Sequence, residues 1–179
     1  SQIQASGLSH YHIELMPGTY EEKILVDVPG VSIAGIDAAA TVITYGDYAR
    51  MLLPDGKPYG TFRTATFKVD ADDFMAENIT FVNSAGNGRD FGQAVAVHAQ
   101  GDSVIFRNCR MLAHQDTLYS GPRMPENEDS IPVARQYFYK CYIAGDVDFI
   151  FGASTAFFEE CEIFSGYGII EDEAKIPEK

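Results

Sequence analysis

Two aspartates, Asp116 and Asp148, occupy matched positions in the chain. Asp116 lies seven residues after Cys109, and Asp148 lies seven residues after Cys141. If the two segments stack in register on neighbouring strands, their carboxyls lie within roughly 4.7–4.9 Å of each other. Carboxyls that close cannot both ionise freely, so one pKa is expected to rise. Such a pair can carry out general acid–base or nucleophilic chemistry.

Each aspartate also has a simpler interpretation. Asp116 can be a turn residue that caps the amide of Thr117 or Leu118, and Asp148 can be a solvated acid in a glycine-flanked bend. The residues that follow Asp148 are apolar (149–151, FIF), which favours its desolvation. Both interpretations remain open from the sequence.

The elements that must position these residues are strands. Short runs rich in β-branched and aromatic residues are bounded by Gly, Pro, Asp or Asn. These runs are residues 11–15, 23–26, 31–34, 41–43, 65–69, 94–97 and 103–106. Helical periodicity is weak, and only the first residues and the charged tail, 171–179, are compatible with a helix. The sequence therefore predicts an all-β fold in a single domain over residues 1–179.

Four segments share one pattern, in which an aromatic residue is followed three positions later by a small or polar residue and five positions later by an aliphatic one. The segments begin at Phe74, Phe106, Phe138 and Phe158, so their starts are separated by 32, 32 and 20 residues. A unit of about 20 residues with insertions predicts a parallel β-helix, in which stacked coils bury columns of like residues. A β-sandwich is the alternative. In the β-helix, the three cysteines belong to an interior stack as free thiols.

The charge of the chain limits its partners. Thirteen basic and 26 acidic residues give a formal net charge of −13, which repels phosphate backbones and anionic membrane surfaces. Nucleic acids and membranes are therefore not expected as partners. A polymer whose carboxylates are masked as esters is favoured over its acid form. The cysteines lack metal-ligand spacing, so no metal is expected.

Five motifs, in the same order and spacing, resemble those of the pectin methylesterase family. Residues 115–119 (QDTLY) and 148–152 (DFIFG) are similar to its two signature motifs. Residues 17–22 (PGTYEE), 77–83 (ENITFVN) and 92–97 (GQAVAV) resemble its early turn and strand, its next marker and its first oxyanion segment. The resemblance covers about residues 2–168 and implies a right-handed parallel β-helix of the pectin-lyase type.

The resemblance implies a role for each side chain of the chemical centre. Asp148 would be the nucleophile that attacks the methyl ester carbonyl. Asp116 would protonate the departing methanol and then activate water. Gln115 and Gln93 would donate hydrogen bonds to the oxyanion. The alternative for the two glutamines is a structural ladder of stacked amides.

Four further residues match substrate-contact positions of the family. Tyr119, Phe149 and Phe151 fall where the family places aromatic rings near its sugar-binding groove. Core packing is the alternative for Phe149 and Phe151, since both lie in an apolar run. Thr61 matches a substrate-contact threonine, and a strand-surface hydroxyl is its alternative.

The chain departs from the family pattern after Gly168. The family carries a Leu-Gly-Arg-Pro-Trp segment whose arginine holds the nucleophilic carboxylate, whereas this chain contains no Trp. We therefore expect a C-terminally incomplete copy, trimmed at the N-terminus too, with impaired turnover. The polar stretch 120–134 is expected to be a loop insertion, which either shapes substrate access or is a tolerated surface insertion.

The sequence as a whole predicts an enzyme that hydrolyses methyl esters of pectin, a homogalacturonan polysaccharide, to carboxylates and methanol. No metal or organic cofactor is expected. From the resemblance we expect a monomer that is secreted or periplasmic. The alternatives are a related esterase, glycosidase or lyase on the same scaffold, and a non-catalytic polysaccharide-binding β-helix.

Overall fold

The strands form three sheets, and each coil of the chain adds one strand to each sheet in turn. The computed structural model describes residues 9–123 and 133–166. Sheet I contains β1 (Tyr11–Leu15), β4 (Val31–Gly35), β7 (Phe74–Glu77), β10 (Val104–Arg107), β13 (Arg135–Tyr139) and β16 (Thr155–Glu159). Sheet II contains β2 (Gly18–Glu21), β5 (Thr41–Tyr45), β8 (Thr80–Asn83), β11 (Arg110–Leu112), β14 (Tyr142–Gly145) and β17 (Glu162–Ser165). Sheet III contains β3 (Ile24–Val26), β6 (Phe67–Val69), β9 (Val97–Gln100), β12 (Leu118–Gly121) and β15 (Ile150–Phe151).

The strand pairing makes the fold a parallel β-helix, as the repeats predicted. Neighbouring strands within each sheet are parallel and come from successive coils. Among the described residues, the one antiparallel contact is an isolated bridge between Leu52 and Pro58. A β-sandwich is built from antiparallel sheets, so that alternative is wrong.

Two of the strand predictions show how local sequence relates to the coil. The first run, residues 11–15, coincides with β1. The run at 94–97 is displaced, because β9 begins at Val97. The reason is that the amide of Val95 donates to the hydroxyl of Thr64 at 2.9 Å, outside the sheet ladder.

Helices are short where they are described. They are a 3-10 helix (Thr61–Arg63) and α1 (Gly88–Phe91), neither of which the sequence predicted. The first residues, 1–8, and the tail, 171–179, both considered as possible helices, lie outside the described residues. No described helix is long and apolar enough to cross a membrane.

The core consists of columns of like side chains that run along the helix axis. The rings of Phe106 and Phe138 stack at 5.5 Å between centroids, and those of Phe138 and Phe158 stack at 4.7 Å. Cys109 and Cys141 are buried free thiols in the same core, and Cys161 packs against it. The interior cysteine stack is therefore confirmed. Burial raises the pKa of Cys141 to about 12, so this thiol stays protonated.

The first of the four predicted repeats is out of register with the others. Phe74 pairs with Val104, and Phe106 lies opposite Ala76, so this coil differs from the next by 30 residues and not 32. A shift of two residues keeps the same side chains pointing inward, because side chains in a strand alternate with a period of two. The sequence pattern therefore could not distinguish the two registers.

The corners between sheets are made by non-glycine residues with positive φ. Asn78, Asn108, Lys140 and Glu160 form one such column between sheets I and II, with φ between 49° and 57°. Asn108 Nδ2 donates to Asn78 Oδ1 at 2.6 Å, which links two coils. The corner that precedes sheet III has the same conformation and contains the two candidate aspartates.

Two long connections lie near that corner: the segment 46–64, between β5 and β6, and the loop between β12 and β13. The segment 46–64 is closed at its base by Lys23, whose ammonium donates to the Asp47 carboxylate and the Arg63 carbonyl, both at 2.6 Å. The loop predicted at 120–134 begins later than expected, since Ser120 and Gly121 are the end of β12. Residues 124–132 of this loop lie outside the described part.

Candidate active site

The β-helix places Asp116 and Asp148 at equivalent positions on neighbouring coils. Leu118 of β12 pairs with Ile150 of β15, and each aspartate lies two residues before its strand. The amide of Asp116 donates to the carbonyl of Val147 at 3.0 Å, one residue before Asp148. The register predicted from the matched offsets is therefore present.

The two aspartates share a strained but tolerated backbone conformation. The φ angles are 68° for Asp116 and 47° for Asp148. Asp and Asn are several-fold enriched in this left-handed region relative to other non-glycine residues. Both side chains therefore leave the same corner of the coil.

The surroundings of the two carboxyls differ. Asp116 is 7% exposed, whereas Asp148 is exposed. Burial, and next the charge of Asp148, raise the pKa of Asp116 to about 6. The expected rise of one pKa is thus found for Asp116.

The turn-capping interpretation of Asp116 receives no support. Within residues 9–123 and 133–166, no hydrogen bond to its carboxylate is found, and the amide of Leu118 donates instead to the carbonyl of Phe149 at 2.9 Å. The exposure of Asp148 agrees with a solvated acid, and it also leaves that carboxylate accessible to a ligand.

The two candidate oxyanion donors lie on adjoining coils beside the aspartates. The amide of Ala94, next to Gln93, donates to the carbonyl of Gln115 at 3.0 Å. Both glutamine side chains are half-buried. No hydrogen bond joins their two amides in the part of the chain that the structure describes, so a structural amide ladder is not supported.

Gly88 of α1 packs directly on the side chain of Gln115. A methyl group at Gly88 would lie 2.5 Å from Gln115 Oε1 and 2.7 Å from Gln115 Cβ. Asn87 caps α1 by accepting from the amide of Asp90 at 3.1 Å. The short helix therefore limits the positions open to the Gln115 amide.

A row of aromatic side chains crosses the outer face of sheet III beside the aspartates. His98, Tyr119 and Phe151 are register partners on β9, β12 and β15. The Tyr119 ring lies 4.5 Å from His98, 5.2 Å from Phe151 and 5.3 Å from Phe62. Burial lowers the pKa of His98 to about 4, so its ring is neutral at pH 7. We call Phe62, His98, Tyr119 and Phe151 the aromatic row.

Phe149 and Thr61 lie in other settings. Phe149 packs against the hydrophobic core, which favours the packing interpretation for this residue. Thr61 begins the 3-10 helix and accepts a 2.7 Å hydrogen bond from the Thr64 hydroxyl through its carbonyl. It is therefore not on a strand surface, and it directly precedes Phe62 of the aromatic row.

Sequence reasoning missed a buried pair next to the aspartates. His114 Nδ1 lies 3.2 Å from Asp146 Oδ2, and their side chains are 6% and 8% exposed. The signal was present, because these residues are separated by 32 positions, as Asp116 and Asp148 are. Among the residues described, no group of three His, Cys, Asp or Glu side chains is arranged to hold a metal ion.

Comparison with known proteins gives one consistent result. The family model described as Pectinesterase matches residues 1–177. Pectinesterase QRT1 of Arabidopsis thaliana is 40% identical over 169 residues, which are 91% of this chain and 42% of that protein. The chain thus spans less than half the length of this relative.

Solved structures agree with the sequence comparison. Pectin methylesterase from carrot is 32% identical with a TM-score of 0.75, over 91% of this chain and 47% of that one. A pectin methylesterase in complex with a hexasaccharide is 29% identical with a TM-score of 0.76, over 90% of this chain and 48% of that one.

Proposed function

Because the chain belongs to the pectinesterase family, we propose that it hydrolyses the methyl esters of pectin to free carboxylates and methanol. The observation that carries the proposal is the pair Asp116 and Asp148, which lie on neighbouring coils at the same corner. The pKa of Asp116 is raised to about 6 while Asp148 is exposed. Two carboxyls in unlike environments can divide the roles of acid and nucleophile.

In the first step, a carboxylate oxygen of Asp148 attacks the ester carbonyl. The bond from the carbonyl carbon to the methoxy oxygen breaks, and the departing methoxy group takes the proton of Asp116 to leave as methanol. An acyl-enzyme joined through Asp148 is left. The raised pKa of Asp116 supports this role, because a proton must be present on it at the start.

In the second step, the ionised Asp116 accepts a proton from water. The resulting hydroxide attacks the acyl carbon, the bond to Asp148 breaks, and galacturonic acid is released, which loses its proton to solvent. Asp116 ends the cycle protonated and Asp148 ends it ionised. The atoms therefore balance as ester plus water to acid plus methanol, without a further reactant.

Gln115 and Gln93 are the proposed donors to the oxyanion that forms in both steps. A preorganised amide donor is typically worth about 3 kcal/mol of barrier. The contact of Gly88 with the Gln115 side chain supports such preorganisation. The aromatic row is the proposed sugar-binding surface, because Phe62 is 57% exposed, Tyr119 and Phe151 are half-buried, and ring faces can stack on sugar rings. His98 is buried and supports the Tyr119 ring from one side.

A second candidate function is binding of pectin without turnover. The observation that favours it is that Asp148 has no ion-pair partner among residues 9–123 and 133–166. A nucleophilic carboxylate without a cation nearby is less readily held in its reactive geometry. We accordingly propose that turnover by this chain is slow. Secretion and a monomeric state stay predictions.

Methanol release from highly methyl-esterified polygalacturonan tests the proposed function. We expect Asp148→Asn to abolish release and Asp116→Asn to reduce it at least 100-fold, since acid–base catalysis typically contributes that much. Asp73→Asn is a matched control, because Asp73 is also an exposed left-handed corner residue, with φ 54°, at a different corner.

The products separate the alternatives. Appearance of new reducing ends in place of methanol would identify a glycosidase. Polymer binding with no methanol from the unmodified chain would favour the non-catalytic function. Full methanol release by the Asp148→Asn variant would overturn the assignment of the nucleophile.

A further inference from the structure

The buried pair His114 and Asp146 lies directly beside the two reacting aspartates. Each member precedes one of those aspartates by two residues, and the pair therefore joins the same two coils. Nδ1 of His114 and Oδ2 of Asp146 are 3.2 Å apart, with both side chains more than nine-tenths buried. The pair has no place in the proposed chemical steps, which use only Asp116, Asp148 and the two glutamines.

Hydrogen bonds connect the pair to the peptides that position the reacting side chains. The amide of Asp146 donates to the carbonyl of His114 at 3.0 Å. Asp146 Oδ1 accepts from the amide of Val147 at 2.6 Å. The carbonyl of Val147 in turn accepts from the amide of Asp116 at 3.0 Å. A continuous path of hydrogen bonds thus leads from the His114 ring to the backbone of Asp116.

The sheet by itself holds this corner weakly. β15 has two residues, so β12 and β15 share only the register pairs Leu118 with Ile150 and Tyr119 with Phe151. By contrast, β13 and β16 share five register pairs in sheet I. A hydroxyl bond from Thr117 to the carbonyl of Ala144, at 2.9 Å, adds a tie next to the pair. Backbone bonds such as that from the Leu118 amide to the Phe149 carbonyl, at 2.9 Å, also join the two coils, and side-chain contacts add to them in setting the spacing.

A buried polar pair specifies one geometry, since any displacement leaves an unpaired polar group away from water. We propose that His114 and Asp146 form a clamp that fixes the separation and direction of Asp116 and Asp148. This inference rests on the proposed function for its catalytic meaning. His114 and Asp146 are positioning residues, because they act through the two aspartates and do not touch the reacting atoms.

Two substitutions, each of which removes one member of the pair, test the clamp. Asp146→Asn removes a negative charge, and His114→Gln removes the group that can carry a positive one. If the pair acts by position, both variants alter Asp116 in the same direction. If it acts only through its charges, Asp146→Asn lowers the pKa of Asp116, whereas His114→Gln raises it or leaves it unchanged.

The primary readouts need no substrate. The pKa of Asp116 is measured by NMR titration of its side-chain carboxyl, and the hydrogen exchange of its amide reports the bond to Val147. We expect both variants to lower the pKa of Asp116, because the carboxyls of Asp116 and Asp148 move apart, and to speed exchange of the Asp116 amide at least tenfold. Unchanged exchange, or a His114→Gln variant that does not lower the pKa of Asp116, would overturn the clamp.

Glu160→Gln is the matched control. Lys140 and Glu160 also form an ion pair between neighbouring coils, at 3.5 Å, but their side chains are 51% and 58% exposed. This acid-to-amide change is expected to leave Asp116 unaltered. If Asp146→Asn does not fold, Asp146→Glu replaces it, since the longer side chain keeps the charge and disturbs the geometry.

Kinetics then give the catalytic consequence. For both clamp variants we expect kcat to fall at least tenfold with KM within about twofold, because the aromatic row is unchanged. Equal rates alongside altered NMR readouts would overturn the catalytic part of the inference. Absence of methanol from the unmodified chain would instead count against the proposed function, while the NMR readouts would still decide whether the clamp exists.

Discussion

The two candidate aspartates illustrate how a repeated backbone can place two like residues in different environments. They share a corner and a left-handed φ. Asp116 is nevertheless buried, whereas Asp148, on the next coil, is exposed. Burial disfavours the charged form of a carboxyl, and a nearby negative charge adds to this effect. The difference in exposure therefore assigns the proton to Asp116.

The raised pKa of Asp116 predicts a pH-dependent stability. From its ordinary value of 3.8 the pKa rises to about 6 in the folded protein. Between these values the folded state binds the proton more tightly than the unfolded chain, so the free energy of unfolding falls as pH rises through this window. Asp116→Asn removes this loss, and we expect it to stabilise the protein by about 1–2 kcal/mol at pH 7 and by little at pH 3.5.

Urea unfolding at the two pH values measures this effect. Asn is suited to the left-handed corner, so the substitution does not add backbone strain. Asp73→Asn, at an exposed corner with φ 54°, is the control for the conformation. An equal gain in stability at both pH values would show that the charge of Asp116 is not the cause.

Gly88 gives a second prediction at the scale of single residues. A methyl group there would meet Gln115 Oε1 at 2.5 Å and Gln115 Cβ at 2.7 Å, so Gly88→Ala must displace the Gln115 side chain. We expect kcat for methanol release to fall about 10- to 100-fold, because one of the two proposed oxyanion donors loses its position. KM is expected to change little, since the aromatic row is not touched.

Gly18→Ala is the control for that substitution. A methyl group at Gly18 would meet only Tyr20, at 3.9 Å, an ordinary contact. Its kcat is expected to match that of the unmodified protein. A Gly88→Ala variant with normal kcat would argue against Gln115 as an oxyanion donor.

At the scale of elements, the stacked phenylalanine column predicts where a substitution most reduces the stability of the fold. Phe138 is fully buried between Phe106 and Phe158. Replacing it by alanine leaves a cavity between two coils, for which we expect a loss of about 3–5 kcal/mol in the free energy of unfolding. Phe157 on β16 is 63% exposed, and Phe157→Ala is expected to cost less than about 1 kcal/mol. Denaturant unfolding of both variants checks the difference, and similar losses would contradict the column as the core.

The β-helix could be predicted because its repeats place like residues in columns. The phenylalanines from Phe106 onwards and the cysteines align as expected. Phe74 does not align with Phe106, since it pairs with Val104. The sequence could not reveal this two-residue shift, because the shift keeps the same side chains pointing inward. The short helix α1 could not be predicted, since four residues carry no helical periodicity. The Asn87 cap sets its start, and Gly92, with φ 79°, sets its end.

The site could be predicted in part, for a related reason. The offset of 32 residues placed Asp116 beside Asp148, and it also contained the signal for His114 and Asp146. The offset could not predict how exposed each side chain of the site is, because that exposure depends on segments that leave the coil. The 46–64 segment brings Phe62 to Tyr119, whereas Phe149 turns into the core although it lies in the same apolar run as Phe151.

For the molecule as a whole, the distribution of charge bears on which form of the polymer binds. The formal net charge is −13, so the field around the protein repels anions. Several described basic groups are also engaged by acids, as in the pairs Lys23 with Asp47 and Arg135 with Asp102. The proposed substrate is nearly neutral where its carboxylates are esterified and anionic where they are free.

We therefore expect this chain to bind highly esterified polygalacturonan more tightly than the de-esterified polymer at low salt. The preference is electrostatic, so it is expected to shrink as salt rises from about 0.01 to 0.5 M, because the screening length falls from roughly 30 Å to a few ångströms. Binding of both polymers by the Asp148→Asn variant, which cannot change the ester content during the measurement, separates affinity from turnover. Equal affinity for the two polymers at low salt would contradict a role for the net charge. A preference that persists at high salt would instead place the discrimination in direct contacts of the methyl ester with the aromatic row.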